Sequence, residues 1–205
     1  IRELYSEDFD YTDSVGNTGH YTYRVPQLEA DTEGAASING AIEREYGPFV
    51  EEALACKDGG YSISCAYIVW ETHQYGDILS LVMSCAWDGD VNQYGVYLYD
   101  TDSGTRLNTA ELLAEMGVDE TAFLDAVRQA AAERFDGNYA DCTGDFGDFL
   151  AERRAWTLSD DNINMDVMVA YPDEDGQLHV VLPIGSIAGA DAYEEWLTPE
   201  LGAVG

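Results

Sequence analysis

The sequence predicts an α+β fold: largely antiparallel sheet, in one or more layers, packed with two main helices and short extra helices. Three observations carry this. Residues 61–72 (YSISCAYIVWET) and 77–87 (DILSLVMSCAW) are long runs in which apolar side chains alternate, the period-two pattern of strands. Short turn sequences connect neighbouring strands, which favours antiparallel pairing. The elements run as strands, helix, three strands, two helices, three strands, rather than alternating one for one.

In chain order, Phe9–Tyr11 and His20–Val25 flank a turn-rich stretch, residues 12–19, and read as an N-terminal hairpin ended by Pro26. Residues 35–55 read as a helix, with Ile38, Ile42, Tyr46, Phe49 and Ala53 at helical spacing. Gly47-Pro48 falls inside it, and proline removes a backbone donor, so a kink or break is expected there. The hairpin 61–72/77–87 turns around Gln74-Tyr75-Gly76, and YGVYLYD (94–100) follows as a third strand. Thr101-Asp102-Ser103-Gly104 is a turn leading to a short extended piece, 105–107.

Asn108, with Glu111 three residues on, forms a capping-box variant, and Gly117 stops the helix it opens. Asp119 caps a second helix, 120–135, buried along Phe123, Leu124, Val127, Ala131 and Phe135. Residues 136–149 read as a loop. Residues 155–158 (AWTL), 163–171 and 177–183 read as three strands, the last two joined by Pro172-Asp-Glu-Asp-Gly176. A short helix near Asp191–Leu197 closes the chain. Residues 1–60 are expected to form a hairpin-plus-helix lobe and 61–205 the main α+β domain, the two also being readable as one intertwined domain.

With 205 residues, 46% of them hydrophobic, the chain is long enough to bury a sizeable core, roughly 70% of its unfolded surface. Forty acidic residues face nine basic ones, a formal net charge of -31, and Lys57 is the only lysine. No basic footprint exists to neutralise phosphates, which excludes nucleic acid, and an anionic membrane surface repels such a chain. The partners that remain are a cationic protein, cations, or neutral molecules such as a cell-wall glycan; the acidity also serves solubility. No run of about 20 apolar residues is present to insert into a membrane. The opening IRELYSEDFDY carries no signal peptide and reads as the middle of a longer chain trimmed of an export signal or anchor.

Cys56, Cys65, Cys85 and Cys142 lack the C-x-x-C spacing of a zinc knuckle. If 61–70 and 78–87 pair, Cys65 faces Cys85, and directly opposed Cβ atoms lie about 4.5–5.5 Å apart, close to bridging range. Free buried thiols are the alternative. Asp100-Thr-Asp102-Ser-Gly104 with Glu111 is oxygen-rich, but glycine falls fifth where a calcium loop wants it sixth, and a strand precedes it. No cofactor is expected, with calcium at Asp100 and Asp102 as the weak exception. His20, His73 and His179 are scattered and expected at strand surfaces or turns. Gly185-Ser186-Ile187-Ala188-Gly189 places its serine one position early for a nucleophile elbow. Tyr67, Trp70, Trp87, Tyr94, Tyr97 and Tyr99 can line a binding face, but aromatic residues at strand positions more often pack.

ILSLVMSCAW, YGVYLYDTDSGTRLNTAELL, LSDDNINMDVMVAYP and HVVLPIGSI together resemble the extracellular domain of the anti-sigma-V factor family, a domain-of-unknown-function family of secreted and lipoprotein-like proteins of Gram-positive bacteria. YTYRVPQLE and the helix after it resemble the smaller domain that usually precedes it. The resemblance implies an extracellular or cell-surface protein of the bacterial cell envelope, a non-enzymatic domain that binds or senses a ligand. In the anti-sigma-V factor that ligand is lysozyme, a basic protein. The family's cytoplasmic sigma-binding segment and membrane helix do not match any residues here. Where many relatives carry a Gly-Gly-Ala-His-like stretch, this sequence reads Trp87-Asp88-Gly89-Asp90-Val91-Asn92, so Trp87, Asp88, Asp90, Asn92 and Tyr94 are the candidate binding residues. The competing expectation is a cell-wall or glycan-directed enzyme or accessory module built on a carboxylate pair.

Overall fold

The computed structural model describes residues 1–12, 16, 18–57, 65–87, 91–142 and 146–201. They form two compact units, Ile1–Arg106 and Leu107–Gly205. The fold is α+β, as the sequence predicts, with a six-stranded sheet and a three-stranded antiparallel sheet. The boundary expected near residue 60 falls inside the first unit, whose strands pair with one another across it.

In the first unit, β1 (Arg2–Thr12) and β2 (Thr18–Gln27) form an antiparallel hairpin. Helix α1 (Glu33–Lys57) then crosses over to β3 (Cys65–Tyr75), which runs parallel to β2 with Thr22 beside Tyr67. This parallel pair is the exception in a sheet otherwise joined by hairpins. β4 (Ile78–Trp87) and β5 (Val91–Asp100) extend it antiparallel, and β6 (Thr105–Leu107) closes it, so the strands lie in sequence order with β1 at the edge.

Proline does less here than expected. β2 runs through Pro26, which pairs with Glu3. Its β3 partner reaches only Thr22 and Tyr23, so on that side the missing N–H of Pro26 deprives no strand of a donor. Helix α1 likewise continues through Pro48 without a break. One intrahelical bond is lost, but Gly47 offers the ring no Cβ to strike, and Tyr46, Phe49, Val50 and Ala53 pack on either side of the proline. Tyr23, Val25, Ile68, Leu81, Met83, Tyr97 and Tyr99 from the strands meet Ile38, Ile42 and Tyr46 of α1 in one buried cluster.

The second unit opens with α2 (Thr109–Met116), whose capping box is formed as the sequence predicts: Asn108 Oδ1 accepts from Glu111 N at 2.9 Å and Glu111 Oε2 accepts from Asn108 N at 2.8 Å. Gly117 ends the helix at φ 67°. Asp119 caps α3 (Glu120–Asn138), which buries Phe123, Val127, Ala131 and Phe135; Leu124 is only half-buried.

Three expectations fail in this unit. Residues 155–158 are not a strand: Ala155–Thr157 end α4 (Gly147–Thr157), which begins inside the stretch expected to be loop, and Leu158 is its C-cap. Arg154 forms a bidentate pair with Asp136 of α3, and Arg153 stacks over the Phe149 ring four residues earlier, 4.9 Å from its centroid. Residues 163–168 are turns, because the Asn164 side chain takes up the local backbone: it donates to the Asp160 and Asp161 carbonyls and accepts from Asp166 N and Val167 N. Only β7 (Val169–Pro172) is extended. Finally, Ala192–Leu197 is a strand, β9, not a helix; it pairs antiparallel with β8 (Leu178–Gly185) from Val180/Leu197 to Gly185/Ala192. Pairing along a central strand overrides the helical preference of a short Tyr-Glu-Glu-Trp run.

Candidate functional site

Edge strand β1 and helix α1 leave a groove between them of about 390 Å³, within the range of small-ligand and side-chain pockets. Leu4, Tyr5, Val25 and Val50 make an apolar wall, and Gly47-Pro48 keeps the helix side low because neither projects a long side chain. Glu43, Arg44 and Glu51 stand exposed at the rim. The proline that fails to break α1 therefore shapes this concavity.

Tyr5 lines the groove, but its hydroxyl is shielded from solvent and finds no hydrogen-bond partner among the described residues. Desolvation, then the nearby Glu7 carboxylate, hold its pKa above the ordinary tyrosine value, so it stays a neutral donor. A buried hydroxyl without a partner is costly. Leu4, half exposed on β1, adds apolar surface beside it. Chemically the arrangement suits an aliphatic or aromatic side chain in the groove and a cation at the Glu43 and Glu51 carboxylates.

The candidate residues from the Trp87–Tyr94 turn are only partly brought together. Trp87 ends β4 and pairs with Val91 across the ladder; Asp88 and Asp90 lie outside the described residues. Asn92 and Tyr94 share one face of β5, where the Asn92 side chain accepts a 2.7 Å hydrogen bond from the Tyr67 hydroxyl. The aromatic set divides: Tyr97 and Tyr99 are core, whereas Tyr67 and Tyr94 are half-buried on the opposite face.

The Asp100 carboxylate is engaged by its own turn. It accepts from Asp102 N, Ser103 N and Ser103 Oγ, and these donors hold its pKa below the usual range, the Ser103 hydroxyl most of all. Three donors thus tie both carboxylate oxygens to the turn rather than to an ion, and among the described residues no cluster of three or more His, Cys, Asp or Glu side chains converges. The three histidines are apart, each beside one carboxylate: His20 with Asp10, His73 with Glu71, His179 with Asp173. Asp8, Asp136 and Asp173 are also held below the ordinary carboxylate range, first by hydrogen bonds from Arg24, Arg154 and His179 respectively. A general acid needs the opposite displacement. Ser186 is buried with its hydroxyl donating to the Ala188 carbonyl at 2.8 Å.

The groove was not legible in the sequence. Its one signal is the odd-numbered series Tyr5, Glu7, Phe9, Tyr11, which extends β1 back from Phe9, but Glu7 interrupts the apolar alternation. The juxtaposition of β1 with the Gly47–Glu51 turns of α1 is a tertiary fact.

These features define an acidic α+β protein with a single-stranded sheet edge and an apolar, carboxylate-rimmed groove beside it. No protein-family model matches the chain, and no curated protein matches it in sequence.

Proposed function

We propose that this protein is a non-enzymatic extracellular binding or sensing domain whose ligand is a basic protein. One observation carries the reading. Much of the chain's positive charge is spent within the molecule: among the described residues Arg24, Arg128, Arg134, Arg153 and Arg154 each sit in an ion pair with a carboxylate. Forty acidic side chains face only nine basic ones, so by number alone most of them exceed the chain's own positive charge. Such a surface steers cationic partners and repels anionic ones. The groove between β1 and α1 supports the same reading, since its apolar wall and Glu43/Glu51 rim match a basic partner that also presents an apolar side chain. The resemblance to the anti-sigma-V extracellular domain points the same way. Among the described residues no helix is long and apolar enough to cross a membrane.

Calorimetric titration with lysozyme tests this. Binding is expected at low ionic strength and weakening by roughly tenfold or more as salt rises toward 0.5 M. A neutral protein of similar size serves as control. Absence of heat at low salt overturns lysozyme as the ligand, and equal affinity for the neutral protein overturns the electrostatic reading.

A further inference from the structure

The first unit brings two thiols to one buried place. Cys65 opens β3 and Cys85 lies near the end of β4; both belong to the core cluster and are 0% and 2% exposed. Direct opposition, as the sequence suggested, is not the register. Cys65 pairs with Trp87, and Cys85 pairs with Ile68. A β-bulge between Cys65 and Tyr67 separates these pairs, setting the extra residue on β3 and turning the Cys65 side chain onto the face that Ile68 and Cys85 share. A diagonal pair in a regular ladder is too far apart to cross-link without strain. The bulge takes Cys65 out of the regular ladder, and both cysteines, free thiols in the structure, lie buried on one face within the same core cluster.

The surroundings hold this arrangement. The Tyr23 hydroxyl donates to the Cys65 carbonyl and ties the start of β3 to β2. The Cys65 thiol donates to the Tyr67 carbonyl across the bulge at 3.1 Å. Facing the pair are Tyr23 from β2 and, from α1, Glu52, whose charge acts on both Cys65 and Tyr23. Oxidation gives up the weak bond from the Cys65 thiol to the Tyr67 carbonyl, and among the described residues neither sulfur belongs to a cluster of metal-ligating side chains.

We propose that Cys65 and Cys85 are a cross-strand disulfide site, oxidised by a disulfide-class reagent such as glutathione disulfide or an exported thiol oxidase. Cys65 is the first nucleophile, because donation from the Cys85 thiol favours its thiolate despite burial. The Cys65 thiolate attacks the reagent disulfide, forming one S–S bond and releasing one reagent thiol. Cys85 loses its proton and attacks the Cys65 sulfur of the mixed disulfide, releasing the second reagent thiol. Two protein thiols are oxidised and one reagent disulfide is reduced to two thiols. Burial confines the exchange to the folding chain or to locally opened molecules. The inference is independent of the ligand proposed above and stands or falls separately.

The test uses the full chain without substitution. Protein is refolded with a mixture of reduced and oxidised glutathione, free thiols are alkylated in denaturant, and the digest is mapped by mass spectrometry before and after reduction. The expected result is a linked peptide pair containing Cys65 and Cys85, two hydrogens lighter than the reduced peptides, with the melting temperature several degrees above that of the reduced protein. Cys65→Ser and Cys85→Ser each remove the linked pair and that difference. Alkylation of both Cys65 and Cys85 after oxidation, or linkage of either to Cys56 or Cys142, overturns the proposal.

Discussion

Tyr97, in the middle of β5, donates its hydroxyl proton to Glu45 of α1 across 2.7 Å. Tyr46, one residue on in the helix, donates in turn to Tyr97, so two phenols and one carboxylate form a short chain that ties helix to sheet. Arg106 lies 5.6 Å above the Tyr97 ring. Tyr46 and Tyr97 are 2% and 4% exposed, while Glu45 reaches solvent, so the relay starts in the core and ends at the surface. Tyr97→Phe keeps the ring and removes the link. It is expected to lower stability by about 1 kcal/mol, and more where the Tyr46 hydroxyl then lacks an acceptor. Glu45→Gln keeps an acceptor and is expected to be milder. Urea denaturation of both single variants and the double variant gives the coupling; a coupling near zero removes the hydrogen bond from the account.

The same phenols set the alkaline limit of the fold. Burial is the first cause that raises the pKa of Tyr23, Tyr46 and Tyr97 far above the ordinary tyrosine value. A group with a folded pKa above its unfolded value contributes stability that is fully present below the unfolded pKa. For tyrosine that contribution begins to fall away as pH rises past about 10. Spectrophotometric titration is therefore expected to show these three phenols ionising only together with loss of near-ultraviolet circular dichroism. Reversible ionisation of all fourteen tyrosines below pH 11 with the fold intact contradicts this.

How much of this was readable in advance depends on the range of the interaction. The Asn108–Glu111 capping box and the Asp119 cap were readable because their donors and acceptors lie three residues apart. The β3–β4 hairpin was readable because alternation persists over ten residues on each strand. AWTL at 155–158 and AYEEWL at 192–197 were assigned the wrong way round: each is too short for its period to decide, and α4 and β9 take their forms from Asp136 and from β8 respectively. The bulge after Cys65 shifts a register that alternation alone cannot shift. The groove beside Tyr5 joins residues some forty positions apart, which no local pattern reports.

Gly95 illustrates a residue chosen by its neighbour. It lies opposite Met83 on β4, and a Cβ built there falls 2.5 Å from the Tyr46 hydroxyl oxygen. Gly95→Ala is expected to destabilise the first unit by about 1–3 kcal/mol, because the phenol is held by Tyr97 and cannot retreat freely. Tyr46→Phe in the same chain removes the clashing oxygen. The double variant is therefore expected to be less destabilised than the sum of the singles, measured by thermal melts. Simple additivity would place the strain elsewhere.

In the second unit the sensitive point is Thr157, fully buried at the end of α4. Its hydroxyl donates to the Arg153 carbonyl at 2.8 Å and accepts from Gly185 N of β8 at 2.9 Å. Thr157→Val keeps shape and volume but strands the Gly185 N–H in the interior. A loss of about 1–3 kcal/mol is expected in chemical denaturation. Thr157→Ser, which keeps the hydroxyl, is expected to retain most of it; equal damage from both substitutions would make packing, not the hydrogen bond, the cause.

Charge gives the last expectation, and two opposing effects set its sign. The net charge of -31 makes the folded state repel itself. Against this, the exposed pairs Arg24–Asp8 and Arg154–Asp136 contribute little and are screened by the same salt. Repulsion among many carboxylates outweighs a few screened pairs, so at pH 7 the melting temperature is expected to rise from 10 mM to 1 M sodium chloride. Mild acid acts in the same direction: ordinary carboxylates take up protons between about pH 5 and 4 and relieve the repulsion. Asp8, Asp100, Asp136 and Asp173 oppose it further down. Their folded pKa values are depressed, so their contribution is present above the unfolded value of about 4 and is lost as pH falls through the lower folded values. Stability is thus expected to peak near pH 5 and decline below pH 4. A melting temperature that falls steadily from pH 7 to pH 5, or that falls with added salt, would mean that the internal ion pairs, and not the unpaired acidic surface, dominate the electrostatics.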